Sequence, residues 1–78
     1  MNVYASATSH GAVTPSDTVV LEFRAIYIGV GGNVAVKVSD QASAVTYVGI
    51  PTGTILPIKG GIVMNTNTTA TNIVWMNW

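Results

Sequence analysis

His10 is the one imidazole in the chain, and the acids are Asp17, Glu22 and Asp40. A histidine becomes a general base when a carboxylate orients it and a nucleophile lies within reach. His10 sits in the stretch Ser9-His10-Gly11, and no spacing ties Asp17 or Glu22 to it. A loop histidine is the simpler reading. Metal binding needs more ligands than one histidine in a chain without cysteine, short of a ring of His10 side chains around an oligomer axis. Three carboxylates are too few for the paired acids of a glycosidase, which must flank a cleft. Gly29-Val30-Gly31-Gly32 has the look of a phosphate loop, but Asn33-Val34-Ala35-Val36 follows where Gly-Lys-Ser/Thr and a helix are required. The expectation is a non-enzyme with no metal and no cofactor.

Residues suited to binding are better represented. Phe23, Tyr4, Tyr27, Tyr47, Trp75 and Trp78 offer aromatic surface. Stacking on single-stranded nucleic acid needs a positive groove, and Arg24, Lys37 and Lys59 are the only cations. Aromatic anchors dominate protein interfaces, so an interface or core role for Trp75 and Trp78 is preferred. A small carbohydrate-binding module with a tryptophan platform is the alternative. Glu22 and Arg24 lie two apart on one strand face, where they can pair across strands or subunits. Exposed pairs add little stability, but at an interface they fix register and partner choice. The candidate contact residues are Val3, Tyr4, Glu22, Arg24, Trp75, Met76 and Trp78. Asn67-Thr68-Thr69 fits a glycosylation acceptor, yet the N-terminus shows no secretory pattern, and a threonine-rich turn is the better reading.

The elements that must hold these residues read as strands. There are 12 Val, 7 Ile and 10 Thr against 2 Leu, and β-branched residues suit a pleated surface and lose rotamer freedom in a helix. No apolar stripe of helical period with caps occurs, so no helix is expected. Thr14 to Thr18 is a turn, and Thr18 to Phe23 a strand. Ile26, Ile28 and Val30 alternate with Ala25, Tyr27 and Gly29, and Val34, Val36 and Val38 alternate with Ala35 and Lys37. With Gly31-Gly32-Asn33 between, this predicts a hairpin. Further strands are expected at 44–50, around Ile55-Leu56, at 62–65 and at 72–78. The last is apolar on both faces, which points to cover on both sides. The fold class is all-β: a small antiparallel barrel or sandwich of six to seven short strands. Residues 1–12 read as an N-terminal arm, loose or lent to a neighbour, and residues 13–78 as a single β domain.

Size and charge bear on self-sufficiency. The chain has 78 residues, 49% apolar and 8% charged, with zero net charge. That excludes a nucleic-acid footprint or a polybasic membrane anchor, and no run approaches the ~20 apolar residues of a membrane helix. So small a domain buries only about 60% of its unfolded surface. Disulfides, metals or oligomerisation usually make up the deficit. Oligomerisation is the route left, and a surface so poor in charge is expected to be covered by other copies or partners.

The serial order of segments carries a resemblance. Val13-Thr14-Pro15-Ser16-Asp17-Thr18, Arg24-Ala25-Ile26-Tyr27-Ile28-Gly29 and Gly32-Asn33-Val34-Ala35-Val36 come first. Val48-Gly49-Ile50-Pro51-Thr52-Gly53-Thr54-Ile55-Leu56-Pro57-Ile58 and Thr68-Thr69-Ala70-Thr71-Asn72-Ile73-Val74 follow. Over roughly residues 13–75 this resembles the small spike-base or head-decoration family of tailed bacteriophages and gene transfer agents. Two features depart from it: only Lys59 is basic after Leu56-Pro57, and the ending Met76-Asn77-Trp78 is not typical. The resemblance implies a structural protein on the virion capsid surface, assembled as a homotrimer or homopentamer. Its implied partners are the major capsid protein and a fibre or spike protein, and no catalytic residue carries over.

Overall fold

A computed structural model describes residues 6–78, so that Met1–Ala5, including Val3 and Tyr4, lie outside the described residues. The described residues form seven short strands and no helix: β1 (Ser9–Ala12), β2 (Ala25–Val30), β3 (Gly32–Lys37), β4 (Val45–Ile50), β5 (Ile55–Leu56), β6 (Ile62–Val63) and β7 (Thr71–Asn77). All pairings are antiparallel and make two sheets, β1-β7-β2-β5 and β4-β3-β6. Of the barrel or sandwich expected, the two separate sheets make the all-β antiparallel sandwich.

The core is built from the positions that alternate. Ile26 and Ile28 of β2, Val34 and Val36 of β3, Val63 of β6 and Ile73 of β7 are buried together with Phe23, Ile50 and Ala70. Among the described residues no polar side chain is buried. A fold with so little area to bury thus spends none of it on desolvating polar groups.

The hairpin expected over residues 24–38 is not formed. β2 and β3 lie in different sheets, joined by the single residue Gly31. The alternation was read correctly, but the glycines serve a crossing between layers. A Cβ on Gly31 would sit 2.5 Å from the Ile50 carbonyl oxygen, and one on Gly32 would sit 2.8 Å from the Ala70 nitrogen. The chain needs glycine here for close backbone approach, not for a tight turn. Gly31 N–H donates to Thr52 Oγ1 at 2.8 Å, which ties the crossing to the β4–β5 corner.

Thr18 to Phe23 is not a strand of either sheet. It is an extended strap down one side of the sandwich. Ser16 N–H donates to the Val63 carbonyl, Leu21 N–H to the Gly61 carbonyl, and Phe23 and Gly60 exchange two bonds of 3.0 Å as an isolated bridge. Val19 and Val20 face solvent on this strap. At the other end, Ser9–Ala12 of the expected arm is the edge strand β1, in register with Asn77 to Val74 of β7. β7 is therefore a central strand, with Ile73 and Trp75 toward the core and Val74 and Met76 on the outer face beside Tyr27 and Ala25.

Candidate functional site

Three of the candidate contact residues meet at one place. Glu22, Phe23 and Arg24 end the strap, Lys59 and Gly60 form the turn before β6, and Asn77 and Trp78 end β7. Together they line a cleft of about 420 Å³. The backbone sets the convergence. The Phe23–Gly60 bridge holds the strap to the turn, and Arg24 N–H donates to the Met76 carbonyl at 2.8 Å, holding the strap to β7. A Cβ on Gly60 would lie 2.7 Å from Phe23 Cζ, so this glycine lets the buried ring close the cleft floor.

The walls mix donors and acceptors. Arg24 and Lys59 are two of the three cations of the chain. Asn77 Oδ1 accepts from Trp78 N–H at 2.9 Å, which leaves the Asn77 amide nitrogen as its open group. Trp78 adds an indole N–H, a donor only. Glu22 is the single carboxylate side chain of the lining.

The other candidates are dispersed. Trp75 packs against the core cluster, and its indole Nε1 would be 2.7 Å from a Cβ on Gly11, so the ring lies over β1. Met76 is half-buried on the outer face, opposite His10 and Ala25. His10 is exposed on β1, and among the described residues no group of three or more potential metal-binding side chains assembles.

Two features were not read from sequence. Lys59, Gly60 and Asn77 join the cleft through pairings that no local pattern reports. Asp17 is a clamp across 48 residues of chain: Oδ1 accepts from Asn65 N–H at 2.8 Å and Thr66 N–H at 2.9 Å, and Oδ2 from Thr66 Oγ1 at 2.6 Å. The Thr66 hydroxyl, then the Thr66 and Asn65 amides and the charge of Lys37, hold its carboxyl below the usual value of 3.8, against a smaller opposing effect of burial.

A second surface is apolar. β4 is an edge strand whose residues Val45 to Gly49 are all exposed. Val45 and Tyr47 stand opposite Val36 and Val34, on the side that faces the core, yet Val45 is 56% exposed and Tyr47 37%. The other sheet does not reach over them. Val48 is 76% exposed. Gly49, at φ 70°, takes the extra position of a bulge, and its N–H donates to Asn33 Oδ1 at 3.0 Å.

The chain is similar to a chain in the solved capsid of a native gene transfer agent particle, computed with C5 symmetry. The two are 32% identical with a TM-score of 0.80, over 97% of this chain and 99% of that one. No family model matches the chain, and no curated protein matches it.

Proposed function

The chain belongs to the family of that gene transfer agent capsid component, and from this premise we propose that it is a structural protein of a phage-like particle, seated on the capsid exterior. The observation that carries the reading is the match over essentially the full length of both chains. A domain this small that matches end to end has little room for a separate activity. Its role is mechanical rather than catalytic: a decoration or cement module, or the base on which a spike or fibre stands.

The surface agrees with life among neighbours. Val45, Tyr47, Val48 and Ile55 are exposed apolar residues on the edge strands β4 and β5, where isolated proteins commonly place charge or proline. Copies of the chain associate with one another as a small ring or cluster. They also contact the major capsid protein, with Val3 and Tyr4 of the N-terminal segment contributing to these contacts. The sugar-platform alternative gains nothing from the geometry, since Trp75 lies on the core and Trp78 is half-buried at the cleft.

Re-addition tests this. Particles produced without the chain are mixed with purified labelled chain and sedimented. Saturable co-sedimentation with intact capsids is expected. Labelled chain that stays at the top of the gradient at every concentration contradicts the reading.

A further inference from the structure

Between Val13 and Phe23 the chain is held by hydrogen bonds rather than by burial. The two ends are fixed. Val13 packs against the core and its N–H donates to the Ile73 carbonyl at 2.8 Å, while Phe23 is buried and bridged to Gly60. None of the nine residues from Thr14 to Glu22 is buried, and of them Leu21 alone packs against the core cluster. Among the described residues, five hydrogen bonds tie this stretch to residues 61–66. Two come from its backbone: Ser16 N–H to the Val63 carbonyl at 3.0 Å, and Leu21 N–H to the Gly61 carbonyl at 2.7 Å. The other three end on the Asp17 carboxylate, from the Asn65 and Thr66 amides and the Thr66 hydroxyl.

The strap lies along the free edge of β6. β6 ends the sheet β4-β3-β6, and its other edge pairs with β3, Ile62 opposite Lys37 and Val63 opposite Val36. Met64 N–H continues that pairing by donating to the Ala35 carbonyl. Backbone groups two residues apart in a strand point the same way, so the Gly61 and Val63 carbonyls that the strap engages both face away from β3. The strap also keeps a shape of its own. Ser16 Oγ accepts from the Thr18 and Val19 N–H groups, both at 3.3 Å, a local turn that owes nothing to β6. Little burial and solvent-exposed hydrogen bonds are the marks of a segment that opens at a lower free energy than the whole fold.

We propose that the Thr14–Glu22 strap is a latch with Asp17 as its catch, which lifts off β6 as one unit while the two sheets stay folded. Val13 and Phe23 are its hinges, because both remain seated on the core. Opening breaks the Ser16 and Leu21 backbone bonds and raises Leu21 from the core, but it leaves every pairing within the two sheets intact. It frees the Gly61 and Val63 carbonyls, so that the outer edge of β6, sealed in the closed molecule, is bared. Hydrogen bonds to an ionised carboxylate are stronger than those between neutral groups, so one side chain supplies most of the fastening. The latch is a property of the chain itself and stands apart from the capsid reading.

Native-state amide hydrogen exchange, followed residue by residue at low urea, tests it. The reporters of the strap are the Ser16 and Leu21 amides. The reporter of the sandwich is the Ile28 amide, which donates to the Thr54 carbonyl. In the wild type, Ser16 and Leu21 are expected to exchange faster than Ile28 and with a weaker dependence on urea, since opening the strap exposes less surface than unfolding the sandwich. Two variants separate the units. Asp17→Ala should speed Ser16 and Leu21 by at least about 10-fold. Ile50→Val trims a buried residue at the other end of β3, opposite Gly32. It should speed Ile28 about 2- to 10-fold and leave Ser16 and Leu21 unchanged, because the strap opens without disturbing the core. Wild-type strap amides that share the rate and urea dependence of Ile28 overturn the proposal, and that arm needs no variant to fold. Strap amides that follow Ile28 in Ile50→Val overturn it as well. Exchange at Ser16 and Leu21 indifferent to Asp17→Ala removes Asp17 as the catch.

Discussion

Asp17 shows how an exposed residue can hold a fold together. Its carboxylate ends three hydrogen bonds from a loop far along the chain, and its lowered pKa is the thermodynamic trace of those bonds. A carboxyl with a depressed folded-state pKa adds stability above its unfolded value, and that stability is lost as pH falls through the folded value. Wild type should therefore lose Tm on acidification from about pH 5 to below about pH 4, and Asp17→Asn should start lower at neutral pH and lose less over the same range. Equal acid slopes for the two proteins would rule the clamp out. Phe23 is the opposite case. It is 2% exposed and closes the cleft floor. Phe23→Ala should cost about 3–5 kcal/mol, a large part of the ~4–12 kcal/mol available to a chain of this length. Urea unfolding would read this as a markedly lower midpoint, and a shift of under about 1 kcal/mol would show the ring to be peripheral.

The lesson of the elements is that period was legible and partnership was not. Ile26, Ile28, Val34 and Val36 were assigned to the core by alternation, and all four are buried. The alternation says which face is wet, but not which strand lies alongside. Gly31-Gly32 carries both a hairpin and a sheet crossing equally well in sequence, and only the crowding by Ile50, Thr52 and Ala70 distinguishes them. The same limit applied to the strap. Thr18 to Phe23 has strand composition, yet its bonds go to Gly60 and Gly61 across the side of the sandwich. At the cleft, Glu22, Arg24 and Trp78 were visible as sparse charge and a terminal aromatic. Lys59, Gly60 and Asn77 came into view only with the Phe23–Gly60 bridge. β1 gives a test at this scale. Thr8 N–H donates to the Asn77 carbonyl and Val13 N–H to the Ile73 carbonyl, bracketing a strand that backs Trp75. Removing residues 1–11 should lower Tm by at least about 5 °C, the shift that roughly 1 kcal/mol makes in a domain this size. An unchanged Tm by calorimetry would return the whole segment to the status of an arm.

At the scale of the molecule, the composition and the architecture tell one story. A core in which the described residues bury no polar side chain, two sheets of short strands and a surface poor in charge make a module that folds compactly and leaves apolar edges exposed. Buried area grows with size, so association is the economical way for so short a chain to remove more of its surface from water. The similarity to a gene transfer agent capsid chain over 97% of this chain and 99% of that one supports a particle setting, in which we propose that neighbours supply that cover.

The most direct test of the account is a reconstruction of purified particles that carry this chain. The account predicts density for the seven-strand domain on the outer face of the capsid, in adjoining copies. Particles whose surface is bare of the domain, with the chain recovered only in the soluble fraction, would contradict it.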